Sequence, residues 1–420
     1  MNVDTMRRID HWTGIPLCAV VSLWLRLWHW LRPAGRIRPR RVLLIELSEM
    51  GSAILVDPAM RKLKANGAEL FFLIFAKNAP SLHLLGTVPK ENIFTLREDN
   101  LWHLAIDTLR YLRWVRRQRI DSVIDLELFS RFTALLTGLS GAGSRVGYHA
   151  FHNEGLYRGE MLTHKVAYNP HIHISKNFIA LVNALLSTRE ELPYSKTVIP
   201  DEEIRLAQVE IDAERQNALR ERIRDRHPYY DPALRLVLIN PNASELLPQR
   251  RWMPERYVAV MQRLLAEFDD ILILITGAAN EIAEAEQLQD LVDHPRCVNF
   301  AGALKLEELP VLYSLATLML TNDSGPAHFS AITPLRTFVL FGPETPKLYG
   351  SLGNSTPLYA GLACSPCVSA ANHRKTPCTD NVCLQAISVE DVMEPLRKAL
   401  ANGTRSTPTA PAGSGATEPV

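Results

Sequence analysis

The 420-residue chain has no excess of charge of either sign. Its 46 Lys and Arg against 45 Asp and Glu leave a net charge of +1. That removes any global electrostatic case for nucleic acid or for an acidic partner. Cysteine is scarce outside one short span: of six, only Cys18 and Cys297 stand apart, as in a reducing compartment. The N-terminal apolar stretch is too short for a spanning helix, which needs about 20 residues. It runs from Ile15 to Leu25 and is broken by Arg26 and His29. Trp and Arg follow it rather than the small residues of a cleavage site, so a signal peptide is not expected. No Asp-x-Asp pair is visible, so a divalent cation is admitted but not required. What the chain does have is 47% apolar residues and a length that suggests two or three domains.

Residues 1–39 form the first distinct segment. Trp24, Trp28 and Trp30 are amphipathic rings that favour a bilayer interface. The Arg36-Ile-Arg-Pro-Arg-Arg41 cluster behind them suits anionic headgroups. The expectation is a helix lying on the inner face of the cytoplasmic membrane, with residues 12–41 as its contact. The plainer alternative is a helix packed on the protein's own surface.

From residue 40 strands alternate with helices, which implies βαβ units and a parallel sheet. Near-continuous apolar runs at 41–47, 69–75 and 122–126 read as strands covered on both faces. A second series follows with strands at 234–240, 271–275, 297–301, around 318–321 and at 337–341. The fold class is therefore α/β. It has a first Rossmann-like domain over 40–200, a charged linker over 201–230, and a second Rossmann-like domain over 231–398. A disordered Gly-, Ser-, Thr-, Pro- and Ala-rich tail is expected over 399–420. Ligands bind at the carboxyl ends of strands in such sheets, so the loops after the strands converge on one cleft. His171 and His173, two residues apart, fall on different helix faces and read as polar cleft residues rather than metal ligands.

One stretch organises the second half. Leu318-Met-Leu-Thr-Asn-Asp-Ser-Gly-Pro-Ala-His328 reads as a buried strand, a tight turn and the opening of a helix. Such a turn presents free N–H groups and the positive end of a helix dipole, which suits a phosphate. Gly325 permits close approach, Asp323 or Ser324 can cap, and Pro326 suits the first helical position.

These residues resemble a known family. Asn322-Asp-Ser-Gly-Pro-Ala-His328, Pro334 and Leu340-Phe-Gly-Pro-Glu-Thr-Pro346 look like the signature of glycosyltransferase family 9, the ADP-heptose:lipopolysaccharide heptosyltransferases. Ile239-Asn240-Pro241, Arg250-Arg-Trp-Met-Pro254, Thr276 to Glu281, Phe300-Ala-Gly-Ala303 and Val42 to Gly51 fit in the same order. The resemblance spans roughly 41–395. It implies a GT-B fold, with two Rossmann-like domains flanking the active site. It also implies inverting transfer from a nucleotide-sugar donor, ADP-heptose in the family, to a lipid-linked glycan acceptor.

By position, Asp323, Ser324, Gly325, Pro326 and His328 would contact the donor's diphosphate and sugar. Asn240 belongs to the same donor-side motifs, and Glu281 resembles the ribose-binding carboxylate. Arg250 stands where a cation would stabilise the leaving nucleotide. One departure matters. The family has Gly-Asp after the first strand, and that Asp is the base that deprotonates the acceptor. Here the pair is Gly51-Ser52. Glu49 is the nearest carboxylate in the same loop and is the expected replacement. Glu46 is in a strand of undetermined facing, and Asp57 is too deep in the following helix. Glu127 and Arg131 are weaker candidates for acceptor contact.

Cys364, Cys367, Cys378 and Cys383 follow the spacing C-x₂-C-x₁₀-C-x₄-C, which admits a structural zinc or unligated thiols. The expected function is a membrane-associated, cytoplasmic glycosyltransferase that moves a heptose or related sugar to a lipopolysaccharide or other envelope glycan. Two rivals remain: a nucleotide-sugar epimerase, against which the aromatic-basic N-terminus argues, and a non-catalytic nucleotide-binding protein, which the Gly51-Ser52 departure keeps open.

Overall fold

The computed structural model describes residues 3–31, 38–47, 50–128, 130–151, 157–228, 230–244, 247–369 and 374–402. Glu49 therefore lies outside the described residues, as do 403–420.

Two six-stranded, wholly parallel sheets carry the fold. The first contains β1 (Arg41–Ile45), β2 (Glu69–Phe75), β3 (Ile93–Leu96), β4 (Ser122–Asp125), β5 (Ser144–Tyr148) and β6 (His164–Val166), in the order β3-β2-β1-β4-β5-β6. The second contains β7 (Arg235–Asn240), β8 (Ile271–Ile275), β9 (Cys297–Asn299), β10 (Ala316–Asn322), β11 (Arg336–Phe341) and β12 (Ser355–Tyr359). Its order is β12-β11-β10-β7-β8-β9. Counted within each domain, both read 3-2-1-4-5-6. The order reverses between β1 and β4 and between β7 and β10, and there the crevice for a ligand opens.

The central strands follow from composition. β1, β2, β7, β8, β10 and β11 are runs of Val, Ile, Leu and Phe whose side chains are nearly all buried, because helices cover both faces of each sheet. The strands that local reading passes over, β3, β6 and β12, all lie at sheet edges and are mostly half-exposed. An edge strand is covered less, so it lacks the continuous apolar run by which the central strands announce themselves.

Residues 201–230 are more than a connector. Asp201–Ile204 is tied to the first domain by the Lys62–Glu203 and Lys176–Asp201 ion pairs at 2.6 and 2.7 Å. The chain then crosses to the second domain, where Val209 N–H donates to the Ile332 carbonyl at 2.9 Å. The helix Ala213–Arg226 packs Leu219 and Ile223 with Leu236, Leu238, Leu312 and Tyr313, so it belongs to the second domain. Its charge lies on the faces turned from that core. The C-terminal helix Val389–Asn402 seats Val392, Met393, Leu396 and Leu400 against Val237, Ile239 and Ile273. Residues 399–402, expected in the tail, are thus structured.

The N-terminal segment forms the helices Val3–Trp12 and Gly14–Leu31, and one stripe of the second is docked. Cys18 and Leu25 bury against Ala134 and Met161. Ser22 Oγ accepts from Glu160 N–H at 2.7 Å. Gly14 is required: a Cβ there would lie 2.8 Å from Arg131 Cδ. The opposite face exposes Ile15, Leu17, Val20, Leu23, Trp24, Leu27, Trp28 and Leu31, with Trp12 and Trp30 at 76% and 81% exposure. Among the described residues no helix is long and apolar enough to cross a membrane.

The domains meet through apolar and polar contacts. Ile54 and Leu84 of the first join the core around Leu236 and Phe329 of the second. Leu348 and Tyr349 of the second enter the core of the first. His173 caps the helix Ile174–Leu186, accepting at Nδ1 from Ser175 N–H and donating from Nε2 to the Gly350 carbonyl at 2.9 Å. That places it in the cleft wall, as a polar contact between domains.

Candidate active site

The site forms where the carboxyl ends of β7, β10 and β11 face those of β1 and β4. On the second domain Arg250 is its centre. It ends a short 3-10 turn, Pro248–Arg250, in the loop after β7. Its Nη2 donates to Glu344 Oε1 at 2.8 Å, and its Nε lies 3.4 Å from Asp323 Oδ2. All three side chains are largely buried. Arg374 brings a second cation, with Nε 3.6 Å from the same Glu344 oxygen and its guanidinium 4.9 Å above the Tyr349 ring. Two cations thus stand beside two buried carboxyls. Burial pushes the Asp323 and Glu344 carboxyls up, and Arg250 acts in the opposite direction. Arg250 Nε and Asp323 Oδ2 are buried and make no hydrogen bond to any described residue. They face one another at 3.4 Å as a buried ion pair.

Asn322 holds this loop set in place. It is fully buried at the end of β10. Its Oδ1 accepts from Trp252 N–H at 3.1 Å and from the Tyr257 hydroxyl at 3.0 Å, while its Nδ2 donates to the Pro241 carbonyl at 2.7 Å. One amide therefore fixes the 241–252 loop to the 322–324 turn. Glu344 and Asn322 were not singled out by sequence. Each sits inside a motif that was read, Gly342-Pro-Glu-Thr-Pro346 and Asn322-Asp-Ser-Gly, and that position was the only available signal.

The other donor-side candidates divide. Ser324 and Gly325 open a helix of only five residues, Gly325–Phe329, and Ser324 Oγ donates to the Asn322 carbonyl at 3.2 Å. So short a helix has little dipole, and the positive charge at this site comes from the two arginines instead. His328 is buried, and its pKa is depressed to about 3, first by burial and then by His173 and Arg250. It is therefore neutral at physiological pH, with a buried Nδ1 that finds no described partner. Pro326 occupies the first turn. Asn240 is turned inward: its Nδ2 donates to the Thr276 carbonyl at 3.1 Å and ties β7 to β8. Glu281 Oε2 accepts from Ala278 N–H at 2.6 Å, a helix-start bond, and burial raises its pKa. It borders the cleft beside Arg251 and Asn242 but is separate from the Arg250 cluster.

On the first domain, Gly51 packs against His328, where a Cβ would lie 2.7 Å from the ring Cδ2. Only glycine allows the helix Met50–Leu55 this approach to the donor turn. Ser52 is half-buried on the same helix. Glu127 Oε1 accepts from Leu47 N–H at 2.9 Å and so fixes the loop after β1. Arg131 is not a cleft residue. Its Nε donates to the Tyr157 carbonyl at 2.8 Å and its Nη1 lies 3.2 Å from Asp10 Oδ2, so it anchors the N-terminal helices. Asp57 is likewise committed, to Arg61 at 2.8 Å and to the Thr87 hydroxyl.

The facing of Glu46, undetermined from sequence, is resolved. It follows β1 at the cleft end, with 5% exposure. Burial, with Glu127 nearby, raises its pKa well above the ordinary range. Of the four cysteines, Cys367 and Cys378 lie near enough to Cys383 to help raise its thiol's pKa. Cys364 is exposed, Cys383 is buried, and Cys378 and Cys383 interact with Asp380 and Asn381. Among the described residues no three His, Cys, Asp or Glu side chains form a group that could hold a metal.

Comparison with known proteins agrees with this architecture. The family model of glycosyltransferase family 9 (heptosyltransferase) matches residues 108–376, more than half of the chain. Lipooligosaccharide heptosyltransferase 2 of Campylobacter jejuni is 27% identical over 175 residues, 40% of this chain and 52% of that protein. The match thus spans about half the length of that relative. The lipopolysaccharide core heptosyltransferase OpsX of Haemophilus influenzae is 21% identical over 280 residues, 66% of this chain and 72% of its own. The structure of E. coli ADP-heptose LPS heptosyltransferase II superposes with a TM-score of 0.65 at 17% identity, covering 86% of this chain and 98% of that one. A family 9 glycosyltransferase from Veillonella parvula gives the same TM-score over 88% and 99%. These likenesses establish the GT-B fold.

Proposed function

This chain belongs to glycosyltransferase family 9, the heptosyltransferase family, and from that membership we propose that it transfers a heptose or related sugar. The donor is a nucleotide diphosphate sugar, ADP-heptose by analogy with the relatives. The acceptor is a lipopolysaccharide-type glycan at the inner face of the cytoplasmic membrane. The observation that carries the reading is the buried Arg250 cluster at the β7–β10 switch point. A preorganised cation in a water-poor cleft stabilises charge that develops on a departing diphosphate. The acceptor hydroxyl attacks from the first domain's side, opposite the leaving group, and the configuration at the anomeric carbon inverts.

The N-terminal helix supports a membrane-bound acceptor. One stripe is anchored through Cys18, Ser22 and Leu25, and the other offers an apolar, tryptophan-bearing face. A folded domain leaves so large an apolar patch uncovered where another surface is to cover it. ADP release measured with a panel of nucleotide sugars and lipid-linked glycans tests the transfer. Release with ADP-heptose and a heptose-deficient acceptor is expected; silence across the panel sinks the reading. ADP binding without release would instead favour a nucleotide-binding protein without turnover, the reading that Ser52 keeps in view. Replacing Trp24 and Trp28 by Ser should cost about 1 kcal/mol of vesicle affinity each, or roughly fivefold, without unfolding the chain. Unchanged co-sedimentation with anionic vesicles would remove the membrane contact.

A further inference from the structure

We propose that the helix Leu101–Arg117 is a second bilayer contact, an arginine-bearing face that binds the anionic headgroups of the leaflet on which the N-terminal helix lies. It extends, and rests on, the membrane-bound acceptor proposed above.

The helix has two distinct sides. Asp107, Tyr111 and Val115 turn inward and are buried. Tyr111 and Val115 join Leu43, Ile45, Phe71 and Leu73 on one face of the first sheet. The outer side carries Trp102, Leu109, Arg113 and Arg116, whose spacings of seven, four and three keep them on one helical stripe. Trp102 is 75% exposed and Leu109 64%, and Arg113, Arg116 and Arg117 are exposed with them. Apolar rings and arginines on one outer stripe are the make-up of a helix that lies in a membrane interface.

Charge selects the occupant. Residues 101–120 hold five arginines, Arg110, Arg113, Arg116, Arg117 and Arg119, and a single acid, Asp107. That acid is buried and already held by Arg97, whose Nε and Nη2 each donate to it at 2.8 Å. Arg110 reaches the same carboxylate at 3.3 Å. Arg116 donates to the carbonyls of Leu112 and Leu139, which carry no charge to offset its own. Arginines on successive turns beside exposed Trp and Leu match a surface that is anionic outside and apolar beneath; a soluble anion would use only the first of these.

The position agrees with the N-terminal helix. The helix Arg131–Leu139 lies between the two. On one flank the Tyr111 hydroxyl donates to the Leu136 carbonyl at 3.3 Å and Arg116 Nη2 to the Leu139 carbonyl at 3.2 Å. On the other, Ala134 packs with Cys18 and Leu25. Tyr111, Val115 and Leu136 share one core, so Leu101–Arg117 and Arg131–Leu139 cover the same face of the sheet. Their outer surfaces, with the N-terminal helix seated on the second, turn away from the sheet to the same side. The two contacts differ in kind. Gly14–Leu31 has one arginine, Arg26, among mostly apolar residues. Arg41, expected at headgroups, is spent on Glu69 at 2.9 Å and on the Phe71 ring at 4.9 Å. Leu101–Arg117 supplies the charge that the N-terminal helix lacks, and two linked contacts hold more tightly than either alone.

The test is co-sedimentation of the full chain with phosphatidylcholine vesicles, with and without an equal part of phosphatidylglycerol. Combining Arg113→Gln, Arg116→Gln and Arg117→Gln should lower affinity for the anionic vesicles by about 10²-fold, at roughly fivefold per charge, and leave affinity for neutral vesicles unchanged. Lys at the same three positions should restore binding, because charge rather than the guanidinium fork is used. In about 0.5 M salt the wild type should fall to the level of the triple Gln variant, because screening then acts within a few ångströms. Trp102→Ser with Leu109→Ser should lower affinity for both vesicle types by about tenfold. Melting temperature and ADP affinity, both expected unchanged, control for folding. A triple Gln variant that binds anionic vesicles as tightly as the wild type overturns the proposal. So does displacement of the wild type from vesicles by inorganic phosphate at constant ionic strength, which would mark a discrete anion site. Trp24→Ser with Trp28→Ser separates the two contacts: a loss there, with none in the triple Gln variant, leaves the N-terminal contact standing and removes this one. A chain that binds anionic vesicles through the three arginines but releases no ADP with any donor and acceptor sinks the transferase reading and upholds this contact.

Discussion

The two halves of the molecule share one strand order and differ in how they hold charge at the cleft. In the second domain each buried acid of the cluster has a cation beside it: Asp323 and Glu344 flank Arg250, and Arg374 adds a second cation. In the first domain Glu46, Asp125 and Glu127 crowd the end of β1 and β4, and Asp125 pairs with the buried Arg158. The compensated half suits an anionic ligand that a cation must receive. The crowded half suits proton uptake, because neighbouring acids raise each other's affinity for a proton. The same scaffold therefore carries two arrangements of charge at equivalent strand ends.

The largest test of this contrast is Arg250→Met. It leaves Asp323 and Glu344 buried without their central partner, so it should destabilise the fold by about 3–5 kcal/mol. Thermal melts with and without ADP would measure it, and loss of ADP protection should accompany the fall. An unchanged melting temperature would mean that the second half is not balanced through Arg250.

The next effect should have the opposite sign. Glu46 has a raised folded-state pKa, so the stability it confers is complete below its ordinary value near 4.5 and is lost as pH rises through the folded value. Glu46→Gln does not undergo that loss. Its melting temperature should exceed the wild type's at pH 8, and the difference should shrink toward pH 4. A variant less stable than wild type at pH 8 would erase the distinction between the halves.

The smallest effect lies at the boundary between them. His328 has a depressed pKa, so its contribution is complete above about 6.5 and is lost as pH falls toward about 3. The slope cannot exceed about 1.4 kcal/mol per pH unit for one group. His328→Gln should flatten the acid side of the stability profile measured by denaturant unfolding. An identical acid slope in both proteins would assign the acid sensitivity to other groups, of which His173 is the first to examine.

The central strands and the paired Rossmann-like arrangement were legible in sequence because burial on both faces writes itself as a continuous apolar run. The edge strands β3, β6 and β12 left no such mark. The donor-side loop was legible as a motif, but the contacts among its side chains were not. Asn240 donates to the Thr276 carbonyl and Glu281 accepts from Ala278 N–H, while Glu344, read only as part of a motif, is in contact with Arg250. Arg131 was one of the weaker candidates for acceptor contact. It pairs with Asp10, because a segment more than a hundred residues earlier folds back onto it.

By itself the sequence determined what depends on local pattern: two parallel α/β domains, a turn of small and polar residues after β10, and an amphipathic N-terminus. Only the tertiary structure decided what depends on juxtaposition. Which acids face a cation, which lie beside one another, and that Glu46 is buried are set by how the elements pack. Charge interactions at a few ångströms hold no memory of sequence separation, and no periodicity along the chain encodes them.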